Sequence, residues 1–318
     1  MKGYKYLTII ILFSIYFSPV PAQDNYINGK PWFCEYYSNR ISDDGVNLWI
    51  AASKGLIKYN KNTGEAYNAA DEVYADSEAT FTAIGDKARE HGISLSIHAP
   101  YFISLSSVDP EKRLKSADYI IKSAAAIRAM GGKTVVIHAG STAKLDRSVA
   151  LEYAKEALLH AIKRLDEEGL YGVTLGIETM GKVNQLGTFD EVLAMCEVDK
   201  TVAPVVDFGH MNAREMGGVF TCTDDYKRIF DTISERVGSE YAENLHCHFS
   251  KIEFTKGGEK RHLTFADEIY GPDYKPLMKA IADLGVYPTI ICESDGTMAE
   301  DALVMQNAYD EYVKAGVL

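Results

Sequence analysis

Six apolar runs of strand length in this chain each lead into a side chain that can hold a metal ion. GISLSIHAPY carries His98, GGKTVVIHAGS His138, GVTLGIETMG Glu178, VAPVVDFGHMNA Asp207 with His210 three positions on, ENLHCHFS His248, and VYPTIICESDG Glu293. A lone histidine or carboxylate at a strand end more commonly makes a structural hydrogen bond or caps the next helix. Six agreeing segments point instead to one polynuclear metal centre. The donors are imidazole and carboxylate without thiolate, a set that suits Zn²⁺, with Mn²⁺ or Fe²⁺ as alternatives. His246 shares a strand face with His248 but lies farther from the strand end, and it is read as an inward packing residue. Cys247 and Cys292 fall one position out of phase and are expected on the helix-facing side as small apolar filler. The ligands outnumber the four positions of a tetrahedral ion, so two or three ions sharing a carboxylate are implied. Ions about 3.5–4 Å apart are a recurring device for phosphoester hydrolysis.

Such residues converge only if their strands are parallel. Between the six runs lie helical segments at 111–130, 146–169, 190–197 and 225–243, and a last one closes the chain. Strand–helix alternation of this kind indicates βαβ units in an open sheet or a closed eight-stranded barrel. In both, functional groups gather at the C-terminal edge of the strands.

The chain has 318 residues, of which 47% are hydrophobic, enough for a full α/β core. Its net charge of −12 suits a small-molecule enzyme and runs against the basic surplus of most nucleic-acid binders. Cations bound in a cleft can reverse that field locally. Five cysteines at irregular spacing, Cys34, Cys196, Cys222, Cys247 and Cys292, make no disulfide framework. The first 22 residues, with Lys2 and Lys5, an apolar stretch and SPVPAQ, read as an export signal whose cleavage would leave no stable membrane association.

These phrases together resemble endonuclease IV, the zinc-dependent apurinic/apyrimidinic endonuclease family of xylose isomerase-like TIM barrels, over residues 65–318. The resemblance implies an α/β fold of the TIM (β/α)8 type and a monomeric hydrolase. It would cut the phosphodiester 5′ to abasic sites in damaged double-stranded DNA, a step of base-excision repair. His98, His138 and Glu178 would hold one zinc. Glu178, the central catalytic carboxylate, would bridge to a second zinc completed by Asp207, His248 and Glu293. His210 and His262 would hold a third. The family places a further carboxylate two residues before that last histidine, where this chain has Lys260. Glu259 is the available substitute, so two ions are expected and the third site stays open. Lys260 and Arg261 become candidate phosphate contacts. Tyr101, in HAPYF, matches an aromatic that probes the DNA groove at a flipped-out nucleotide.

The beginning departs from this pattern. NLWIA and LIKY, separated by close Gly and Asn-Thr-Gly turns, spell hairpins rather than βαβ units. Residues 23–64 resemble a fragment of a two-component-regulator propeller blade, foreign to the barrel. EAYNA (65–69) is then the candidate for the second barrel strand, TFTAIGDKAREHG for its helix, and WFCEYY (32–37) for a stand-in first strand. The barrel is expected to lack or substitute its first βα unit. An exported N-terminus and a cytoplasmic repair function conflict over localisation. Two further readings stay open: a metal-dependent sugar isomerase or epimerase on the same barrel, centred on Glu178, Asp207, His248 and Glu293, and an inactive truncated or fused product.

Overall fold

The computed structural model describes residues 77–316 except Ala143, and, ahead of them, Asn62 and six short strands between residues 26 and 68. The chain divides into two compact units between Ala83 and Ile84. In the first, β1 (Tyr26–Ile27) pairs antiparallel with β2 (Lys30–Pro31). β3 (Ser38–Asp43), β4 (Asn47–Ala52), β5 (Gly55–Asn60) and β6 (Ala66–Asn68) form a four-stranded antiparallel sheet in sequence order. β4 and β5 pair with Ala52 opposite Gly55, the spacing of a close hairpin.

One expectation is corrected here. EAYNA is not a barrel strand, because Ala66–Asn68 runs antiparallel to β5, with Tyr67 opposite Lys58. A three-residue run such as Ala66–Asn68 has no periodicity to distinguish a parallel partner from an antiparallel one. WFCEYY, the first 22 residues and residues 71–76 lie outside the described part of the chain. Among the described helices, none is long and apolar enough to cross a membrane.

The second unit is a regular alternation. α1 (Ser77–Glu90) begins ahead of it and leads to β7 (Ser96–His98), α2 (Pro110–Ala129), β8 (Thr134–Ile137), α3 (Arg147–Glu167), β9 (Thr174–Glu178) and α4 (Phe189–Cys196). β10 (Val202–Asp207) passes straight into α5 (Phe208–Arg214), followed by α6 (Thr223–Arg236), α7 (Ser239–Glu243) and β11 (His246–Phe249). A β12 (Lys251–Thr255) and β13 (Gly258–Leu263) hairpin precedes α8 (Tyr274–Leu284), β14 (Thr289–Cys292) and α9 (Met298–Lys314). The six strands β7, β8, β9, β10, β11 and β14 lie side by side in chain order, all parallel. This is the TIM-barrel type of sheet, incomplete. Among the described residues β7 and β14 are its edges, so two of the eight strands of a full barrel are missing from it, not one.

Side-chain phase explains where the functional groups go. Val135 and Ile137 of β8, and Leu175 and Ile177 of β9, pack into one apolar cluster under the helices. Val206, Cys247, Phe249, Ile290 and Cys292 pack into a second. Successive residues of a strand point to opposite faces. His138, Glu178, Asp207, His248 and Glu293 each fall one residue after such an outward side chain, and so lie on the inner face. The two cysteines are indeed helix-side filler.

Candidate metal centre

Each strand end delivers its side chain to one buried place. Glu178, 1% exposed, lies at its middle. Its Oε2 is 3.0 Å from His98 Nε2 and 2.8 Å from His138 Nε2. Its Oε1 is 2.8 Å from His248 Nδ1 and 3.6 Å from His210 Nδ1. The two oxygens thus face different pairs of imidazoles, the disposition of a bridging carboxylate. Glu293 repeats it, with Oε1 3.2 Å from His248 Nδ1 and Oε2 3.9 Å from His262 Nδ1.

Three groups have one donor atom per residue within 4.8 Å of one another: His98–His138–Glu178, Glu178–Asp207–His248–Glu293, and His210–Glu259–His262. All eight expected ligands and Glu259 are therefore brought together. Their fit to cations is visible in the polar atoms left over. Asp207 Oδ2, His210 Nε2 and His248 Nε2 are buried and accept or donate no hydrogen bond. Buried polar atoms left without a hydrogen bond are costly unless a cation takes them.

The third group depends on an irregularity. In a regular strand, residues two apart share a face, which would put Lys260 beside His262. The β12–β13 ladder instead pairs Glu253 with Arg261 and then Phe254 with Glu259, leaving Lys260 as an extra residue. This β-bulge shifts the phase by one. Glu259 turns inward, its Oε2 3.4 Å from His210 Nε2 and its Oε1 3.8 Å from His262 Nε2. Lys260 and Arg261 both turn outward, with side chains 54% and 66% exposed, and each bonds Glu253. Glu253 therefore neutralises one of the two cations offered as phosphate contacts. Tyr101 lies just past β7 and is 74% exposed.

Several supporting residues carried no recognisable sequence signal. His98 Nδ1 donates to Ala99 O at 2.9 Å and His210 Nδ1 donates to Thr179 O at 2.9 Å. Each bond fixes a tautomer that leaves Nε2 for the centre. Ser250 Oγ is 2.8 Å from His262 Nδ1. The Thr179 hydroxyl accepts from Asp207 N at 2.9 Å, and Asp207 Oδ1 caps α5 through His210 N at 2.7 Å. Only the Asp207 cap was legible in advance, as a helix N-cap residue.

Electrostatics are those of a site built for positive charge. Burial pushes Glu178 toward its neutral form, but the imidazoles of His248 and His138 outweigh it and hold the carboxyl well below the usual range. Burial likewise opposes the charged form of His248, yet the carboxylates of Glu293 and Glu178 push it up to about 10. His210, against the same burial, is pushed up to about 9 by Asp207 and Glu259. Asp207 itself is raised by burial. His246 is driven down to about 3 by burial and by His248 beside it, as suits a neutral packing residue.

Known proteins resemble this chain in sequence and in fold. The family model for the xylose isomerase-like TIM barrel matches residues 62–308. An uncharacterized protein of Methanocaldococcus jannaschii, MJ0133, is 34% identical over 71% of this chain and 81% of its own length. A probable endonuclease 4 of Acholeplasma laidlawii is 30% identical over 76% of this chain and 83% of its own. Among solved structures, a D-tagatose 3-epimerase-like protein superposes with a TM-score of 0.56 at 17% identity, covering 74% of this chain and 82% of that one. Endonuclease IV of Thermus thermophilus superposes with 0.52 at 19% identity, covering 76% and 82%. At such identities the solved structures speak for the fold alone. The matched family model and the two sequence relatives speak for descent: this chain belongs to the xylose isomerase-like TIM barrel family, and its resemblance to endonuclease IV holds.

Proposed function

We propose that this protein is a divalent-metal-dependent phosphodiesterase that cuts DNA on the 5′ side of abasic sites. The observation that carries the reading is that Glu178 belongs to two ligand groups and Glu293 of the second faces His262 of the third at 3.9 Å, so the three groups adjoin. His98, His138 and Glu178 would hold one ion, Glu178, Asp207, His248 and Glu293 a second, and His210, Glu259 and His262 a third. Zn²⁺ suits these donors, with Mn²⁺ as the alternative. When bound, the ions supply the positive charge that acidifies an attacking water and neutralises phosphate and leaving-group oxygens.

The chain's own residues do the rest. Glu178 stays ionised and spans two ligand groups. The Ala99 and Thr179 carbonyls keep two imidazoles in the ligating tautomer, and the buried inner face excludes bulk water. Tyr101 stands exposed just past the β7 end, where it can meet a displaced nucleotide. The endonuclease 4 names among the sequence relatives support DNA as the substrate class.

A second reading has its own support. The group Glu178–Asp207–His248–Glu293 alone would serve a sugar epimerase, and a D-tagatose 3-epimerase-like protein shares the fold. The remaining ligands favour the nuclease. The deciding experiment incubates the full chain with a duplex oligonucleotide bearing one abasic site, alongside a metal count per chain. The expected result is a nick leaving a 3′-hydroxyl, abolished by chelation, with two or three ions bound. One ion per chain and an intact oligonucleotide would overturn the nuclease reading in favour of the epimerase.

A further inference from the structure

The third ligand group is assembled across a loop one residue thick. Between β9 and α4 the chain passes through Met180–Thr188, and Gly181 faces the β12–β13 hairpin there. Gly181 O accepts from Glu259 N at 3.0 Å, and Val183 N donates to Gly257 O at 3.1 Å. A Cβ on Gly181 would stand 2.6 Å from Glu259 Cβ and 3.0 Å from His210 Cδ2. The loop backbone therefore sets how far Glu259 stands from His210.

The carbonyls of the same loop are gripped by Arg214. It stands four residues after His210 on α5, hence on the same helix face. Its Nη1 donates to Met180 O at 3.1 Å and Lys182 O at 2.8 Å, and its Nη2 to Val183 O at 3.0 Å and Gln185 O at 3.4 Å. This guanidinium beside a proposed phosphodiesterase centre is spent on backbone carbonyls. Four carbonyls converging on one fork is a geometry that an ammonium cannot reproduce. Arg147, from the start of α3, reaches only the distal carbonyls Val183 and Gln185 and is itself held by Glu191.

We propose that Arg214 is a positioning residue for the third cation site: by fixing the Met180–Gln185 backbone relative to α5, it sets the Glu259 carboxylate at ligating distance from His210 and His262. The inference rests on the multi-ion reading above. Groups that orient metal ligands from behind typically account for 10–100-fold in affinity.

The test uses the full chain and Zn²⁺ alone. The unaltered protein, Arg214→Lys, Gly181→Ala and Arg147→Lys are each titrated with Zn²⁺, and retained zinc is counted after dialysis. Arg214→Lys, which loosens the grip on the loop carbonyls, and Gly181→Ala, which crowds Glu259 and His210, are expected to weaken the last ion bound about tenfold or more and to lower retained zinc from about three to about two. Arg147→Lys is expected to retain all ions, and melting temperatures without metal show whether any loss is general. An Arg214→Lys variant that binds every ion within about twofold of the unaltered chain overturns the inference and leaves the nuclease reading standing. An unaltered chain that holds a single ion overturns both, because no third ion remains to be positioned.

Discussion

Glu178 gathers four imidazoles around its two oxygens, those of His98, His138, His248 and His210. Replacing it by glutamine keeps the shape but removes the negative charge and one acceptor. Outer groups that merely orient a ligand account for up to about a hundredfold, so loss of the shared ligand is expected to cost more than that in cleavage of an abasic duplex. Zinc content should fall with it. Steady-state nicking by Glu178→Gln at the unaltered rate would remove this carboxylate from the mechanism. The strand-end ligands were legible in the sequence because each follows an apolar run whose phase places it on the inner face. Thr179 and Ser250 were not legible. The Ser250 hydroxyl bonds the His262 imidazole and the Thr179 hydroxyl bonds the Asp207 backbone, and a hydroxyl in either part is spelled no differently from a surface hydroxyl.

The β12–β13 hairpin shows how one inserted residue can change which side chain faces a site. Read as a regular strand, GEKRH offers a lysine to the centre; read with the bulge, it offers Glu259. Deleting Lys260 would set the glutamate two residues before the histidine, a spacing at which an unbulged strand presents both on one face. The expected outcome is that the deletion keeps the third ion whereas Glu259→Ala loses it, read by zinc stoichiometry. Loss in both would mean that the bulge has a further use. At the start of α4, Glu191 closes a capping box with Thr188 and bonds Arg147 twice at 2.7 Å. Burial opposes its charge, but the Arg147 bond and the Gly187 and Thr188 amides hold its carboxyl below the usual range. A lowered carboxylate contributes stability that is present above its unfolded value, about 4.3, and is lost as pH falls through the folded one. Glu191→Gln should therefore cost about 1–2 kcal/mol at neutral pH. The gap between the two proteins should close in acid, as paired urea melts at pH 7 and near pH 3 would show. A constant gap would deny the ionised cap its role.

At the scale of the whole molecule, the sheet is held together in two ways. Helices cover its outer face with two apolar clusters, while its inner face at the C-terminal edge is a ring of carboxylates and imidazoles. The six parallel strands leave β7 and β14 as edges among the described residues, and unpaired edges are a stability liability. This deficit was only half visible beforehand. The hairpin spelling points to the missing first βα unit, but the short run at 66–68 carries no mark of its partner, and only its antiparallel pairing with β5 removes it from the barrel. Cations bound across the ring would join β7, β8, β9, β10, β11 and β14 at one point. An ion that binds the folded state alone, at a thousandfold excess over its dissociation constant, stabilises by about 4 kcal/mol. For a chain of this size that corresponds to a rise in Tm on the order of 10 °C. Calorimetry of the chelated and the zinc-loaded chain should thus give one sharp transition that moves up with zinc. A broad transition that ignores zinc would mean that the open sheet does not hold its strand ends close enough to share a cation, and the hydrolytic reading would fall with it.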